Sequence, residues 1–226
     1  MEIVFILVEP AREENVGAAA RAMKTMGFSK LRLVNPCHYL GERALATAHA
    51  SGEILEQAQV FASLSEAVAD VDFVIGSAAK HRNVKADYHW VGDLPQILTE
   101  KGSSVGSVAV VFGREESGLS NEELLLCHLL STIPMRSKYP SLNLGQAVMV
   151  YAYELSKINL LYARRTVRPV EAGEFAVAQQ RLVQLLSDIN LDAKTQSRIA
   201  ERFALLGEED IVLFHKFFQK YSVSKG

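Results

Sequence analysis

Apolar residues in the first 163 positions follow two alternating patterns: short unbroken runs, and longer stretches that repeat every three to four residues. Ile3–Val8 is an unbroken β-branched run stopped by Glu9-Pro10, as expected of a strand buried on both faces. Val16–Met26, rich in Ala and Met and closed by Gly27, has the pattern of a helix with a glycine C-cap. Leu31–Val34 predicts a second strand ended by Asn35-Pro36, and Leu45–His49 a short helix. Leu64–Val68 predicts another helix, with Ser63 or Ser65 as N-cap. Phe73–Gly76 and Val108–Phe112 read as buried strands. Ser120-Asn121-Glu122-Glu123 is a capping box, predicting a helix through Leu130 and then a short strand over Ser131–Pro134. Leu144–Leu161 is a long apolar helix. Such alternation predicts an α/β domain: a mostly parallel sheet with helices on both faces, its ligand-binding loops gathered along one edge.

The pattern changes at Arg164-Arg165-Thr166-Val167-Arg168-Pro169, a basic stretch that ends in proline. Beyond it Phe175, Leu182, Leu185 and Leu186, then Ile199, Phe203 and Leu206, then Ile211, Phe214, His215 and Phe218 recur at helical spacing. The expected organisation is therefore a domain over 1–163, a linker over 164–169, and a small helical C-terminal extension over 170–226. About 57 residues make a marginal independent core, so the extension is expected to pack on the first domain or on a partner chain.

Composition narrows the function classes. With 49% hydrophobic and 22% charged residues in 226, the chain is globular. No apolar run approaches the roughly 18 residues of a membrane helix. Glu2 sits where a signal peptide carries positive charge, so a cytoplasmic location is expected. The net charge of −2 excludes a free polybasic arm, yet it averages −4 over residues 1–163 with +2 over 164–226. Cys37 and Cys127 are far apart with no CxxC spacing, and the six histidines do not cluster, so no metal is expected. Dinucleotide and P-loop glycine fingerprints and the GxSxG elbow are absent.

Three segments combine chemistry with a structural role. In Asn15-Val16-Gly17-Ala18-Ala19-Ala20-Arg21-Ala22-Met23-Lys24, small residues allow close helix packing, Asn15 can cap, and Arg21 and Lys24 share a face. A capped Ala-rich helix with two solvated cations would explain the same pattern. In Phe112-Gly113-Arg114-Glu115-Glu116-Ser117-Gly118, a strand enters a charged turn that exposes backbone amides at a sheet edge; an ordinary βα loop would also read this way. In Ile133-Pro134-Met135 and Tyr139-Pro140-Ser141-Leu142-Asn143-Leu144, apolar residues able to clasp a flat ring precede a Ser/Asn cluster that opens a helix. A weaker fourth segment, Ser77-Ala78-Ala79-Lys80-His81-Arg82 with Lys85, Tyr88, His89 and Trp90 beyond, suits phosphate contact and base stacking, or a solvated loop.

In order and spacing these motifs resemble the SPOUT superfamily of RNA methyltransferases, and within it the TrmJ/LasT-like branch that methylates ribose 2′-hydroxyls of tRNA or rRNA. The likeness covers roughly residues 1–163 and fades in the extension. It implies a parallel sheet whose C-terminal part forms a deep trefoil knot, S-adenosylmethionine as cofactor, RNA as partner, and a homodimer. By position it implies Ser77, Ala78, Ala79, Gly113, Ile133, Pro140, Ser141 and Leu142 as cofactor contacts, with Met135 and Leu144 as apolar neighbours. It implies Arg21 as the catalytic residue, entering from the other subunit, supported by Asn15, Glu115 and Asn143. An arginine titrates too high to be a free base, so its expected role is to grip a phosphate and stabilise the developing alkoxide, with the phosphate or Glu115 taking the proton. The candidate RNA contacts are Lys24, Lys80, Arg82, Lys85, Arg164 and Arg165. The competing expectation is a non-catalytic RNA-binding or assembly protein that keeps the fold.

Overall fold

The computed structural model describes residues 1–79, 87–136, 142–158, 173–189 and 191–224. Seven strands form one sheet: β1 (Glu2–Val8), β2 (Lys30–Val34), β3 (Gln59–Phe61), β4 (Phe73–Ser77), β5 (Tyr88–Trp90), β6 (Ser107–Phe112) and β7 (Leu129–Thr132). Their order is β3-β2-β1-β6-β4-β7-β5, and each neighbouring pair is parallel. The helices of the same region are α1 (Glu13–Thr25), α2 (Glu42–Ala48), α3 (Gly52–Glu56), α4 (Leu64–Ala67), α5 (Leu94–Lys101), α6 (Asn121–Leu126) and α7 (Leu144–Ser156). Three more follow: α8 (Glu174–Asp188), α9 (Ala193–Phe203) and α10 (Glu208–Ser224).

Both faces of the sheet are covered, which is why its strands read as continuous apolar runs. Phe5 and Leu7 of β1 point into a core shared with Ala19 and Met23 of α1, Leu98 of α5 and Val148 of α7. The alternate residues Val4, Ile6 and Val8 point into a second core with Leu64 and Ala67 of α4 and Leu124 of α6. Gly17 allows the close approach of α1 to α2, since a Cβ there would lie 2.1 Å from the Ala44 carbonyl oxygen.

Several boundaries differ from expectation. Helix α1 begins at Glu13, preceded by an extended Arg12, so Asn15 lies inside the first turn and does not cap it. The Ser120 capping box forms, but α6 stops at Leu126, Cys127 is extended, and Leu129-Leu130 belong to β7. A buried apolar pair suits either element, and pairing with β4 and β5 decides it. The edge strands β3 and β5 and the Pro-initiated α5 were not evident from periodicity. Ser63 is the cap of α4, its Oγ accepting from Glu66 N at 3.2 Å. The expected helix from Leu144 is seen through Ser156, and the linker 164–169 lies outside the described residues.

The C-terminal helices dock on their own chain. Phe175 meets Phe73 of β4 edge to face at 5.2 Å, and the ring contacts continue through Phe203 to Phe214. Two buried charges flank the turn after α5. The Lys101 ammonium donates to the carbonyls of Ala204 at 2.7 Å and Leu206 at 3.2 Å and lies over the rings of Phe73 and Phe175. In return the Glu208 carboxylate accepts from the Ser103 hydroxyl at 2.8 Å.

Burial pushes the Lys101 ammonium down to about 7, against the attraction of Glu100. An unfolded lysine titrates at about 10.4. The folded chain therefore binds fewer protons between those values, and stability from this group rises with pH across about 7 to 10. Urea unfolding of wild type and Lys101→Met at several pH values should show that rise only in wild type, with slopes differing by at most about 1.4 kcal/mol per pH unit. Equal slopes would contradict this account.

Candidate active site

The carboxyl ends of β4, β6 and β7 meet the head of α7 around a groove of about 720 Å³. Ser77, Ala78 and Ala79 line it after β4, Phe112 and Gly113 at the end of β6. Ile133 and Met135 line it after β7, Leu142 and Leu144 at the start of α7. Eight of the ten positions expected to contact a cofactor are thus brought together; Pro140 and Ser141 lie outside the described residues.

The fourth side is the loop 113–118, which folds back on itself. Only glycine fits at its start, because a Cβ on Gly113 would lie 2.2 Å from Gly118 C and Leu119 N. Arg114 clamps the loop. Its guanidinium bonds both oxygens of Glu9, at 2.6 and 2.8 Å, and both of Glu123, at 2.9 and 3.1 Å. Bidentate pairing of this kind fixes orientation as well as charge. The hydrogen bond from Arg114 holds the Glu9 carboxyl below the ordinary carboxylate range despite partial burial. Glu123 also accepts from Ser120 N at 2.6 Å, so the residue that closes the capping box also anchors the loop.

A chain of side-chain hydrogen bonds ties the three motifs together beside the groove. Asn143 Nδ2 donates to Asn15 Oδ1 at 2.6 Å, and Asn15 Nδ2 donates to Glu115 Oε1 at 2.7 Å. Asn143 is fixed at its other end as the cap of α7, its Oδ1 accepting from Gly145 N at 2.9 Å. Glu115 Oε2 accepts from the Ala11 amide at 3.1 Å. Burial works to raise the Glu115 pKa, but the Asn15 bond and the backbone amides of Ala11 and Arg12 outweigh it, and the carboxyl is held below its ordinary value. The donor and acceptor pattern fixes the amide orientations: Asn15 gives its NH2 to a carboxylate and can only accept from Asn143.

The remaining expected site residues are placed apart. Arg21 is exposed on α1 and does not line the groove. Lys24 pairs with Glu53 and donates to the Ala50 carbonyl, so its charge is partly engaged. Lys80, Arg82, Lys85, Arg164 and Arg165 lie outside the described residues. Among the described residues no group of three His, Cys, Asp or Glu is arranged to hold a metal, and no helix is long and apolar enough to cross a membrane.

Sequence reasoning passed over the Arg114–Glu9 pair. Its signal is the register of β1 on β6: Leu7 faces Phe112, so two positions further Glu9 comes beside Arg114. It also missed Tyr151 and Ser131, buried polar residues in an otherwise apolar pattern.

The groove has an apolar wall that suits a flat ring. The backbone at three strand ends lines the groove where the edges of that ring would lie, and the side chains of Glu115 and Glu116 suit a positive charge. An α/β fold with such a groove at the sheet edge defines a nucleotide-type ligand site of the doubly wound class. Residues 2–153 match the SpoU rRNA Methylase family, and the chain belongs to that family. It is 42% identical over 221 residues to LasT of Escherichia coli, described as an uncharacterized tRNA/rRNA methyltransferase, covering 96% of this chain and 95% of that one. It is 37% identical to TrmJ of Sodalis glossinidius, a tRNA (cytidine/uridine-2'-O-)-methyltransferase, covering 82% of this chain and 74% of the relative. A solved structure of a probable methylase family protein from Haemophilus influenzae superposes with a TM-score of 0.71 at 29% identity, covering 98% and 96% of the two chains. The likeness therefore runs through most of the C-terminal helices, further than the motifs alone indicated.

Replacing Arg114 with lysine removes both bidentate pairs while keeping the charge. The Arg114→Lys variant should lose about 1–3 kcal/mol of stability, seen as a lower urea midpoint with an unchanged slope. A midpoint equal to wild type would show that the clamp contributes nothing.

Proposed function

We propose that the protein transfers a methyl group from S-adenosylmethionine to a ribose 2′-hydroxyl of tRNA or rRNA, with the groove at the carboxyl ends of β4, β6 and β7 as the cofactor site. The observation that carries this reading is the Asn143–Asn15–Glu115 chain, which joins three distant motifs beside that groove. Ser77, Ala78, Ala79, Gly113, Ile133, Met135, Leu142 and Leu144, with Pro140 and Ser141, would hold the cofactor. When bound, S-adenosylmethionine supplies the methyl group as a sulfonium electrophile.

The chain's own residues align the hydroxyl and manage charge. Asn143 and Asn15, bonded to each other, fix Glu115 beside the groove, where it stays ionised and orients the ribose. Arg21 grips the neighbouring phosphate and stabilises the alkoxide as the hydroxyl proton leaves for that phosphate or for Glu115. Arg21 serves the site of a second copy in a homodimer, as in the family it resembles, and its exposed position outside its own groove supports that reading. Residues 1–163 form the catalytic unit, with the knotted cofactor segment of the family, and 170–226 the extension that contributes to RNA choice. Lys24, Lys80, Arg82, Lys85, Arg164 and Arg165 contact RNA, in a cytoplasmic setting. A non-catalytic RNA-binding role is the lesser reading, and calorimetry with S-adenosylmethionine separates the two.

Mass-spectrometric mapping of ribose methylation in RNA from a strain lacking the protein should reveal one lost 2′-O-methyl mark, and an unchanged map would overturn the reading. Arg21→Lys should lower turnover at least about tenfold with cofactor affinity retained. Mixing the inactive variants Arg21→Ala and Gly113→Val should restore activity in mixed dimers, which pair one intact groove with an intact Arg21. No recovery would place Arg21 in its own subunit's site.

A further inference from the structure

Three hydroxyl side chains from three elements meet beneath the floor of the groove. Ser77 ends β4 and lines the groove. Ser131 of β7 is its register partner, and the Ala78 amide donates to the Ser131 carbonyl at 2.9 Å. Tyr151 of α7 comes from below, its ring meeting that of Phe112 edge to face at 5.2 Å. Phe112 also lines the groove. Tyr151 and Ser131 are fully buried, and among the described residues neither Tyr151 OH nor Ser131 Oγ has a hydrogen-bond partner. Burial pushes the Tyr151 phenol up to about 12, opposed by the hydrogen-bonding influence of the Ser131 and Ser77 hydroxyls, which lie close to it without bonding geometry.

A buried hydroxyl with no partner is costly, and phenylalanine would fill the same space without that cost. Neighbouring positions of α7 that face the same core, Val148, Ala152 and Leu155, are apolar. A polar atom kept here needs a use outside the stability of the free chain. Ser77 alone of the three reaches both the groove and the buried pair.

We propose that Tyr151 is a positioning residue for S-adenosylmethionine: with Ser131 it holds Ser77 and the strand end 77–79 in the arrangement that the filled groove requires. Tyr151 does not touch the cofactor. Its hydroxyl makes its hydrogen bonds with Ser131 and Ser77 when the occupied groove excludes water from Ser77 and turns its hydroxyl toward the floor. The proposal rests on the reading of the groove as the S-adenosylmethionine site.

The test uses the full chain with Tyr151→Phe, Ser131→Ala and wild type, titrated calorimetrically with S-adenosylmethionine and unfolded in urea without it. Tyr151→Phe should leave the free protein as stable as wild type or more so, since no bond is lost. Its dissociation constant and KM for S-adenosylmethionine should both rise about tenfold, with kcat at saturating cofactor within about twofold of wild type. Ser131→Ala should weaken binding in the same direction. Adding Tyr151→Phe to Ser77→Ala should weaken binding no further than Ser77→Ala alone, because Tyr151 acts only through that hydroxyl. Unchanged affinity in Tyr151→Phe, or a free protein destabilised by it, overturns the proposal alone. Failure of wild type to bind S-adenosylmethionine overturns the cofactor reading itself and this proposal with it.

Discussion

Every strand of the sheet runs in one direction, so every loop that follows a strand leaves from the same edge. Residues separated by a hundred positions become neighbours there without any contact designed between them locally. Asn15 follows β1, Glu115 follows β6 and Asn143 opens α7 beyond β7, and the three side chains reach bonding distance only because of that shared polarity. Reversal of one strand would deliver its loop to the opposite edge and break the chain of amides. The central position of β6, between β1 and β4, is the consequence that matters most for the site. It places the loop 113–118 where it can be clamped to the end of β1 through Glu9 and can wall a groove floored by β4.

The edge is also an electrostatic arrangement. Carboxylates gather at it, Glu9, Glu115, Glu116 and Glu123 among them, and Glu9 and Glu115 are given donors that keep them charged. Arg114 neutralises two of them while leaving Glu115 to amides, which carry no net charge. The result is a wall whose negative charge is retained and directed, which suits a cationic ligand group better than a fully paired site would.

The parts of the fold that depend on local pattern were legible in the sequence: buried strands as apolar runs, the Ser120 box, the Ser63 cap, the helical spacing of the extension. The parts that depend on partners far along the chain were not. Leu129-Leu130 carries no local mark distinguishing a helix end from a strand, and its neighbours β4 and β5 settle the matter. Asn15 reads as a cap because asparagine is a good one, whereas its acceptor and donor lie in loops 100 and 128 positions away. Most of the groove was legible for a different reason: the family resemblance carried Ser77, Ala78, Ala79, Gly113, Ile133, Met135, Leu142 and Leu144 over by position, and these residues line it. Tyr151 was not, because one hydroxyl hardly alters the apolar appearance of a buried helix face.

The docking of the C-terminal helices separates adhesion from registration. The aromatic contacts from Phe73 through Phe175 to Phe214 provide adhesion and would tolerate small shifts. The reciprocal pair, Lys101 giving to carbonyls of the extension and Glu208 accepting from the turn after α5, tolerates none, because a displaced partner would leave a buried charge unmet. The extension is therefore not an interchangeable module. A transplanted one would seat correctly only if it brought its own counterpart of Glu208 and free carbonyls at the places of Ala204 and Leu206, so the two regions are constrained to change together.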